Sequence, residues 1–351
     1  MNYKVYNLNQ KDKWNYFFKL LPIEQQDIYF TPEYYELYEN NGDGKAQCFV
    51  FEENDEIALY PFLINSVNEL GYDLDNEYFD IQGAYGYNGI VSTTIDKDFI
   101  NLFSKSFNIF CSNNNIIAEF QRINPIIDNI SKYRKDMDVI YNNENILVNL
   151  SNEDILNTYE YSVRKNIKKA ITNNLEYYVK DGNNIINEEL NAFYNIYVHT
   201  MQRTQAEDFY YLNKHFFKSA ASLLKEKSLF AFVKKDNKIM SCELILLGAN
   251  VAYSYLGGTF SEYYQYRPND YLKYKSIERL KELGYNYFLL GGGPEGVLKY
   301  KKKFAPNGII SFYIGKKIHN QKIYDEVVKQ WETKFPEKKE KYNNLLLKYR
   351  Y

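Results

Sequence analysis

The sequence predicts an α+β protein built from two related halves, each a mixed, mostly antiparallel sheet flanked by helices. Three observations predict it. The chain has 351 residues, against roughly 100–200 for one domain. A helix followed by a strand–turn–strand pattern occurs once in each half, an internal echo. In the second half, helix and strand patterns interleave around that hairpin, which argues for a mixed sheet.

The elements follow in order. Thr31-Pro32-Glu33 opens a helix, with Thr as N-cap and Pro at the first helical position. Cys48–Leu63 reads as an apolar strand, a charged tight turn and a second apolar strand; Leu229–Leu246 repeats it. Tyr85–Gly89 is echoed by Tyr253–Gly258. Between the halves, Ile155, Tyr159, Val163, Ile167 and Ile171 recur every four residues and predict one helix over 153–173, with Arg164, Lys165, Lys168 and Lys169 on its other faces. Helices are expected over 188–203 and 213–225, strands over 229–247 and 251–256, a helix over 269–283 stopped by Gly284, and a strand over 287–290. A strand over 309–314 precedes a Lys- and Glu-rich stretch, 321–351, read as helical. Domain limits are expected at 1–150, with 319–351 packing back on it, and 151–318.

Composition narrows the function. Hydrophobic residues are 45% and charged residues 25% of the chain, as in globular proteins. Lys plus Arg is 43 and Asp plus Glu is 45, a formal net charge of −2. A general DNA binder would be strongly basic, so any polyanion site must be local. Cys48, Cys111 and Cys242 have neither disulfide-framework nor zinc spacing, which points to a reducing compartment. No apolar leader is seen after Met1, and no stretch approaches 18 uninterrupted apolar residues; a cytoplasmic protein is expected. The 37 Tyr accompany abundant Asn, Lys and Ile, as an AT-rich genome would give.

Hydrolase, metalloprotease and Walker motifs are absent. His199, His215 and His319 are too scattered for a metal site, so no metal is expected. Gly291-Gly292-Gly293-Pro294-Glu295-Gly296 matches G-x-G-x-x-G, but Pro294 interrupts the turn and no acid follows at dinucleotide-site spacing. These glycines predict close backbone approach or positive φ at a strand end.

Three constellations carry chemistry. Lys299, Lys301, Lys302 and Lys303 follow the glycine-rich loop, beside Tyr300 and Phe304. Lysines near exposed N–H groups suit phosphate or carboxylate, and one in a partly apolar cleft can handle protons. Arg203 ends a helix before a polar loop reaching Asp208, Tyr210 and Tyr211, and offers a bidentate fork. Arg267-Pro268-Asn269-Asp270 precedes a helix, with Asn269 as a candidate N-cap and the free N–H groups as an anion site.

Together these residues resemble the FemABX-like proteins. Arg164–Ala170 looks like the R-x-x-I-x-K-A helix that opens their second domain. Thr200–Arg203, Phe209–Tyr211, Leu256–Thr259, Arg267–Asn269, Gly291–Gly293 and Tyr300–Phe304 follow in the family's order, over about 149–318. The resemblance implies two tandem GNAT-like domains, the second carrying the active site. It implies transfer of an acyl group onto an amino group of a cell-envelope precursor, either a muropeptide of peptidoglycan or a surface-polysaccharide amino sugar. The donor would be acyl-CoA or aminoacyl-tRNA, with no permanently bound cofactor. The acceptor would be a small molecule or a nucleotide- or lipid-linked precursor, with tRNA as a possible partner. By that resemblance Arg203 and Tyr210 or Tyr211 would hold the acceptor, and Lys301 would sit at the transfer centre. Arg267, Asn269, Asp270, Gly291, Gly292 and Gly293 are the further substrate-binding candidates, and Asp208, Asp270 and Tyr300 are the candidates for general base. Gln265–Asp270 lacks the glycines of the CoA-pyrophosphate loop, and no coiled-coil insertion is present. Direct attack by the amine needs no covalent intermediate. The alternative is a non-catalytic module of the same fold that binds glycan or RNA.

Overall fold

The computed structural model describes residues 2–127 and 129–351. In chain order the elements are β1 (Tyr3–Asn7), α1 (Lys11–Leu20), α2 (Pro32–Asn41), β2 (Lys45–Glu53), β3 (Glu56–Ser66), β4 (Phe79–Gln82), β5 (Val91–Ser92), α3 (Lys97–Asn113), β6 (Ile116–Ile123) and β7 (Asp138–Asn149). Next come α4 (Ile155–Thr158), α5 (Tyr161–Thr172), β8 (Glu176–Asp181), α6 (Asn187–Thr204), α7 (Lys214–Leu224), β9 (Ser228–Lys235), β10 (Lys238–Leu247), β11 (Val251–Thr259), α8 (Pro268–Glu282), β12 (Tyr287–Gly291) and α9 (Glu295–Lys302). The chain ends with β13 (Ile309–Ile318), α10 (Gln321–Lys334) and α11 (Lys339–Tyr342). Two compact units result: residues 1–142 with 312–351, and residues 143–311.

In the first unit the strand order is β1-β2-β3-β4-β6-β13. All neighbours are antiparallel except β4 and β6, which are parallel. In the second it is β8-β9-β10-β11-β12-β7, and the one parallel pair is β11 with β12. The two units therefore share one topology, with the parallel pair in the same place. Each closes its sheet with part of a strand that crosses a unit boundary, β13 in the first and β7 in the second.

The hairpins explain the sequence echo. Asn54-Asp55 and Asp236-Asn237 both adopt positive φ (50° and 65°; 48° and 61°). Asn and Asp tolerate that region, and two such residues make the turn whose twist matches a hairpin. The preceding helices are capped as the sequence implies. Thr31 Oγ1 accepts from Tyr34 N at 3.3 Å, and Asn213 Oδ1 from Phe216 N at 3.0 Å.

Three expectations are corrected. The single helix over 153–173 is two, broken at Tyr159–Glu160, where Glu160 N bonds Lys303 O at 2.9 Å. Ile171 is exposed and Ala170 is buried in its place. A spacing of four drifts around a helix of 3.6 residues per turn, so the last apolar position leaves the buried face. The C-terminal helix stops at Lys334, because the residue before Pro336 disfavours helical backbone; short turns follow. Finally, Tyr85–Gly89 is loop, whereas Tyr253–Gly258 lies in β11.

The second unit's core joins Val163, Ile167 and Ala170 of α5, Leu272, Ile277 and Leu280 of α8, and the sheet residues Ala231, Val233, Ile245, Phe288 and Leu290. In the first unit α10 contributes Ile323, Val327 and Trp331 to a cluster with Tyr72, Ile117 and Tyr349.

Candidate functional site

The second unit holds a cleft of about 480 Å³. Its origin lies in the parallel pair. β11 and β12 register from Val251↔Tyr287 to Tyr253↔Leu289 and pair no further, although β11 continues to Thr259. Ligands in α/β sheets bind outside the carboxyl ends of parallel strands. Here Ser254–Thr259 form one wall, the start of α8 a second, and Gly296, Val297, Tyr300 and Lys301 of α9 a third. The β10–β11 register shifts between Leu244↔Leu256 and Ile245↔Ser254, which leaves Tyr255 as an extra residue on β11. Such a bulge re-aims side chains beside a site.

Backbone economy shapes the walls. Gly258 lies so close to α6 that a Cβ there would meet Thr200 Oγ1 at 2.2 Å and Ile196 O at 2.8 Å. Thr200 fixes that approach: its hydroxyl donates to Ile196 O at 2.9 Å and accepts from Thr259 N at 3.1 Å. Helix α8 starts one residue earlier than expected. Pro268 takes the first helical position, where its missing N–H costs nothing. The N-cap is thus Arg267, not Asn269, at φ 62° and ψ 41° and with no side-chain cap. A non-glycine residue there is strained, and strain concentrates at functional sites. The helix presents uncapped first-turn amides beside the cleft, the arrangement that favours anions.

Six of the expected residues line this cleft: Arg203, Arg267, Asn269, Asp270, Tyr300 and Lys301. Arg203 and Arg267 are exposed, and the Arg203 guanidinium sits 5.6 Å over the Tyr264 ring. Asp270 is buried, and burial raises its carboxyl pKa against the pull of a hydrogen bond from Asn166 and the charges of Arg267 and Lys303. Lys301 Nζ donates to Gly292 O at 2.6 Å. Its pKa is pushed down to about 7, chiefly by desolvation and further by the Lys273 charge, with Glu243 acting the other way. The Tyr300 hydroxyl is buried without a hydrogen-bond partner among the described residues, and burial pushes its pKa far up.

The remaining expected residues lie elsewhere. Asp208 is exposed on a 3-10 turn over Asp208–Tyr210, and neither it nor Tyr210 and Tyr211 lines the cleft. That segment's backbone is held by Tyr197, whose Oη donates to Tyr210 O at 2.5 Å. Gly291, Gly292 and Gly293 are also off the wall. Gly291 and Gly293 take φ of 74° and 136°, and a Cβ on Gly292 would meet Asn145 Oδ1 and Glu144 O at 2.8 Å. Gly292 contributes through its carbonyl, which holds Lys301.

Glu243, Ser254 and Lys273 were not foreseen. Glu243 and Lys273 form a buried ion pair, and Lys273 Nζ reaches Ser254 Oγ at 3.0 Å. Ser254 in turn bonds Glu243 Oε1. A lone Glu in an apolar strand, Cys242-Glu243-Leu244-Ile245-Leu246, is the signal that could have found it, since an unpaired charge is rarely buried. Among the described residues no group of three or more His, Cys, Asp or Glu is placed to hold a metal, and no helix is long and apolar enough to cross a membrane.

Both units, each with one parallel pair in the same place of its sheet, define a tandem GNAT-like fold. Solved structures similar to it agree on fold. FemX matches with a TM-score of 0.67 at 14% identity, over 93% of this chain and 99% of that one. The C-terminal domain of a putative lysylphosphatidylglycerol synthetase from Agrobacterium fabrum matches with 0.59 at 15% identity, over 93% and 97%. A tandem GNAT protein from the clavulanic acid biosynthesis pathway matches with 0.51 at 6% identity, over 91% and 98%. The model of the FemAB-like family, described as peptidoglycan biosynthesis/recognition, matches residues 109–349. The chain belongs to that family. No curated protein matches it.

Proposed function

We propose that this chain is an N-acyltransferase that moves an acyl group onto an amino group of a cell-envelope precursor, with a peptidoglycan muropeptide as the first acceptor to try and a surface-polysaccharide amino sugar as the second. Family membership supports the envelope setting. The observation that carries the chemistry is Lys301: one N–H is held by Gly292 O, while the nitrogen lines the cleft with a pKa near 7. A base poised near the working pH is the efficient one.

The amine nitrogen attacks the acyl carbonyl carbon and forms the C–N bond, while the carbonyl electron pair moves onto oxygen. Neutral Lys301 takes the proton that the nitrogen loses. The oxyanion then collapses, the C–S or C–O bond to the donor breaks, and the leaving sulfur or oxygen receives that proton. Once charged, Lys301 lies beside the developing negative charge, which it stabilises. Two observations support direct transfer over a covalent route: the buried Cys242 thiol has its pKa pushed far up, and Lys273 is already paired with Glu243 rather than free to deprotonate Ser254. Arg203, Arg267 and the first turn of α8 suit the phosphates of acyl-CoA or of a nucleotide-linked or tRNA substrate.

The test pairs two donors with matching acceptors: alanyl-tRNA with UDP-linked muramyl pentapeptide, and acetyl-CoA with a UDP-linked amino sugar. Transfer by the wild type and its loss in Lys301→Met is the expected result. Salt-sensitive RNA binding with no product from either pair would favour the binding module, for which the exposed Lys165, Lys168 and Lys169 on α5 are the candidate surface.

A further inference from the structure

Glu243 is a poor choice for a structural residue. Burying an ion pair costs several kcal/mol of desolvation per ion, and an apolar pair of similar volume often does as well. Here the pair lines the cleft, with Lys273 and Glu243 only 5% and 6% exposed. Its hydrogen bonding is also lopsided. Oε1 takes both Lys273 and Ser254, while Oε2 is buried with no partner among the described residues. A second orphan, the Tyr300 hydroxyl, lies in the same cleft. Buried polar atoms without partners are rare, and each one asks for an explanation.

The two orphans share a chemistry. A carboxylate oxygen accepts only, and a phenol can accept as well as donate. The missing partner must therefore supply at least one N–H or O–H and carry no negative charge. Lys273 neutralises Glu243, and Lys301 with a pKa near 7 is about half charged at neutral pH, so the cleft's own cations oppose a bound ammonium less as Lys301 loses its proton. Cationic Arg203 and Arg267 are exposed, and the uncapped amides of α8 lie beside them. The cleft is thus polarised: donors for anions on exposed arginines and a helix start, a free acceptor among buried side chains.

We infer that Glu243, clamped by Lys273 and Ser254, is the recognition point for a primary ammonium group of a substrate, with the Tyr300 hydroxyl as its second acceptor. This deepens the transfer reading and rests on it for the identity of the substrate. The ammonium can come from two sources, the amino group of the acceptor, which releases one proton to solvent before it attacks, or the α-amino group of an aminoacyl donor. An acetyl donor carries none.

The binding test does not depend on turnover. Full-length protein is titrated with ethylammonium chloride, and thermal unfolding is followed. Tetramethylammonium chloride, which has the charge but no N–H donor, is the control. The Glu243→Gln/Lys273→Met double variant removes both charges together, so no unpaired ion is left to unfold it. The wild type should gain thermal stability with ethylammonium only, and the double variant should gain none. Equal shifts in both proteins would overturn the inference. The kinetic arms then find the source. If the ammonium is the acceptor's, the double variant raises the KM for acceptor roughly tenfold to a hundredfold, the cost of a lost charged hydrogen bond. If it is the donor's, the wild type favours alanyl-tRNA over lactyl-tRNA by a similar factor and the variant loses that preference. A variant unchanged in both arms, in an enzyme that turns over, also overturns it. A wild type that binds ethylammonium but transfers nothing would instead sink the transfer reading alone.

Discussion

Replacing Lys301 by Met should remove activity and stabilise the protein at neutral pH. The sign follows from linkage. An ordinary lysine titrates at 10.5, whereas Lys301 in the folded chain titrates at about 7. Between these values the unfolded chain carries a proton on Lys301 that the folded chain does not. Stability therefore rises with pH across that window and is penalised below it. Linkage alone gives on the order of 2 kcal/mol regained between pH 7 and pH 9, and partial solvent exposure of the side chain discounts this to about 1–2 kcal/mol. Methionine fits the same stem without a charge. The assay is urea unfolding of wild type and Lys301→Met at pH 7 and pH 9. The variant's advantage should be largest at pH 7 and shrink by that amount at pH 9. An advantage that does not change with pH would refute the desolvated lysine, and with it the proton acceptor. The same argument predicts that the wild-type transfer rate climbs as pH rises through 7. Lys301→Arg, always protonated, should lose transfer despite keeping the positive charge.

Other substitutions probe separate parts. Arg203→Ala and Arg267→Ala should raise the KM of a phosphate-bearing substrate by about tenfold and flatten its salt dependence, read by initial rates from low to high salt. Arg267→Gly should relieve the left-handed backbone and raise the unfolding free energy measured in urea by up to about 1 kcal/mol, while weakening binding as Arg267→Ala does. Arg134→Met should cost roughly 3–5 kcal/mol in urea unfolding, because it leaves the buried Glu119 carboxylate with only His319 and Gln121 as partners. Glu119 titrates at about 2 in the fold against an ordinary 4.5, so its contribution holds above about 4.5 and is lost as pH falls toward 2; acid unfolding should start at higher pH in the variant.

Much of this fold was legible where local chemistry and tertiary role agree. Both hairpins could be read because Asn-Asp and Asp-Asn turns sit between apolar runs, and α2 because Thr31-Pro32 is an N-terminal signal by itself. Strands β4 and β6 escaped notice, since four or eight residues buried on both faces carry no period of two. The break at Tyr159–Glu160 could not be seen either. It depends on Lys303 O, more than a hundred residues away in the chain. In the site, residues read from unusual local sequence, Arg267-Pro268 and Lys301 of the lysine run, do line the cleft. Asp208, Tyr210 and Tyr211 were drawn from a polar loop whose direction only packing decides. Glu243, Ser254 and Lys273 come from β10, β11 and α8, and no local pattern links them.

The shared topology of the two units invites a comparison of their parallel strand pairs. In the second unit β11 and β12 part after Tyr253↔Leu289, and α8 begins with no side-chain cap. The first unit has the same pair, β4 and β6, registered to Gln82↔Phe120. There the gap is closed from within. Asn88 bridges in parallel to Ile123, its N–H donates to Arg122 O at 2.7 Å, and its carbonyl accepts from Asn124 N at 3.0 Å. Its side chain is buried, and a Cβ on Gly83 would collide with it at 1.9–2.5 Å, so the loop folds down only because Gly83 is glycine. The helix that corresponds to α8 is α3, and its first turn is capped by Asp96, which accepts from Asp98 N at 2.9 Å and Phe99 N at 3.0 Å. The two features that would receive a ligand, splayed strand edges and open helix amides, are thus both satisfied by the first unit's own residues. The same arrangement is closed by Asn88 and Asp96 in one unit and left open in the other, and the echo of Tyr253–Gly258 at Tyr85–Gly89 marks the segment that closes it.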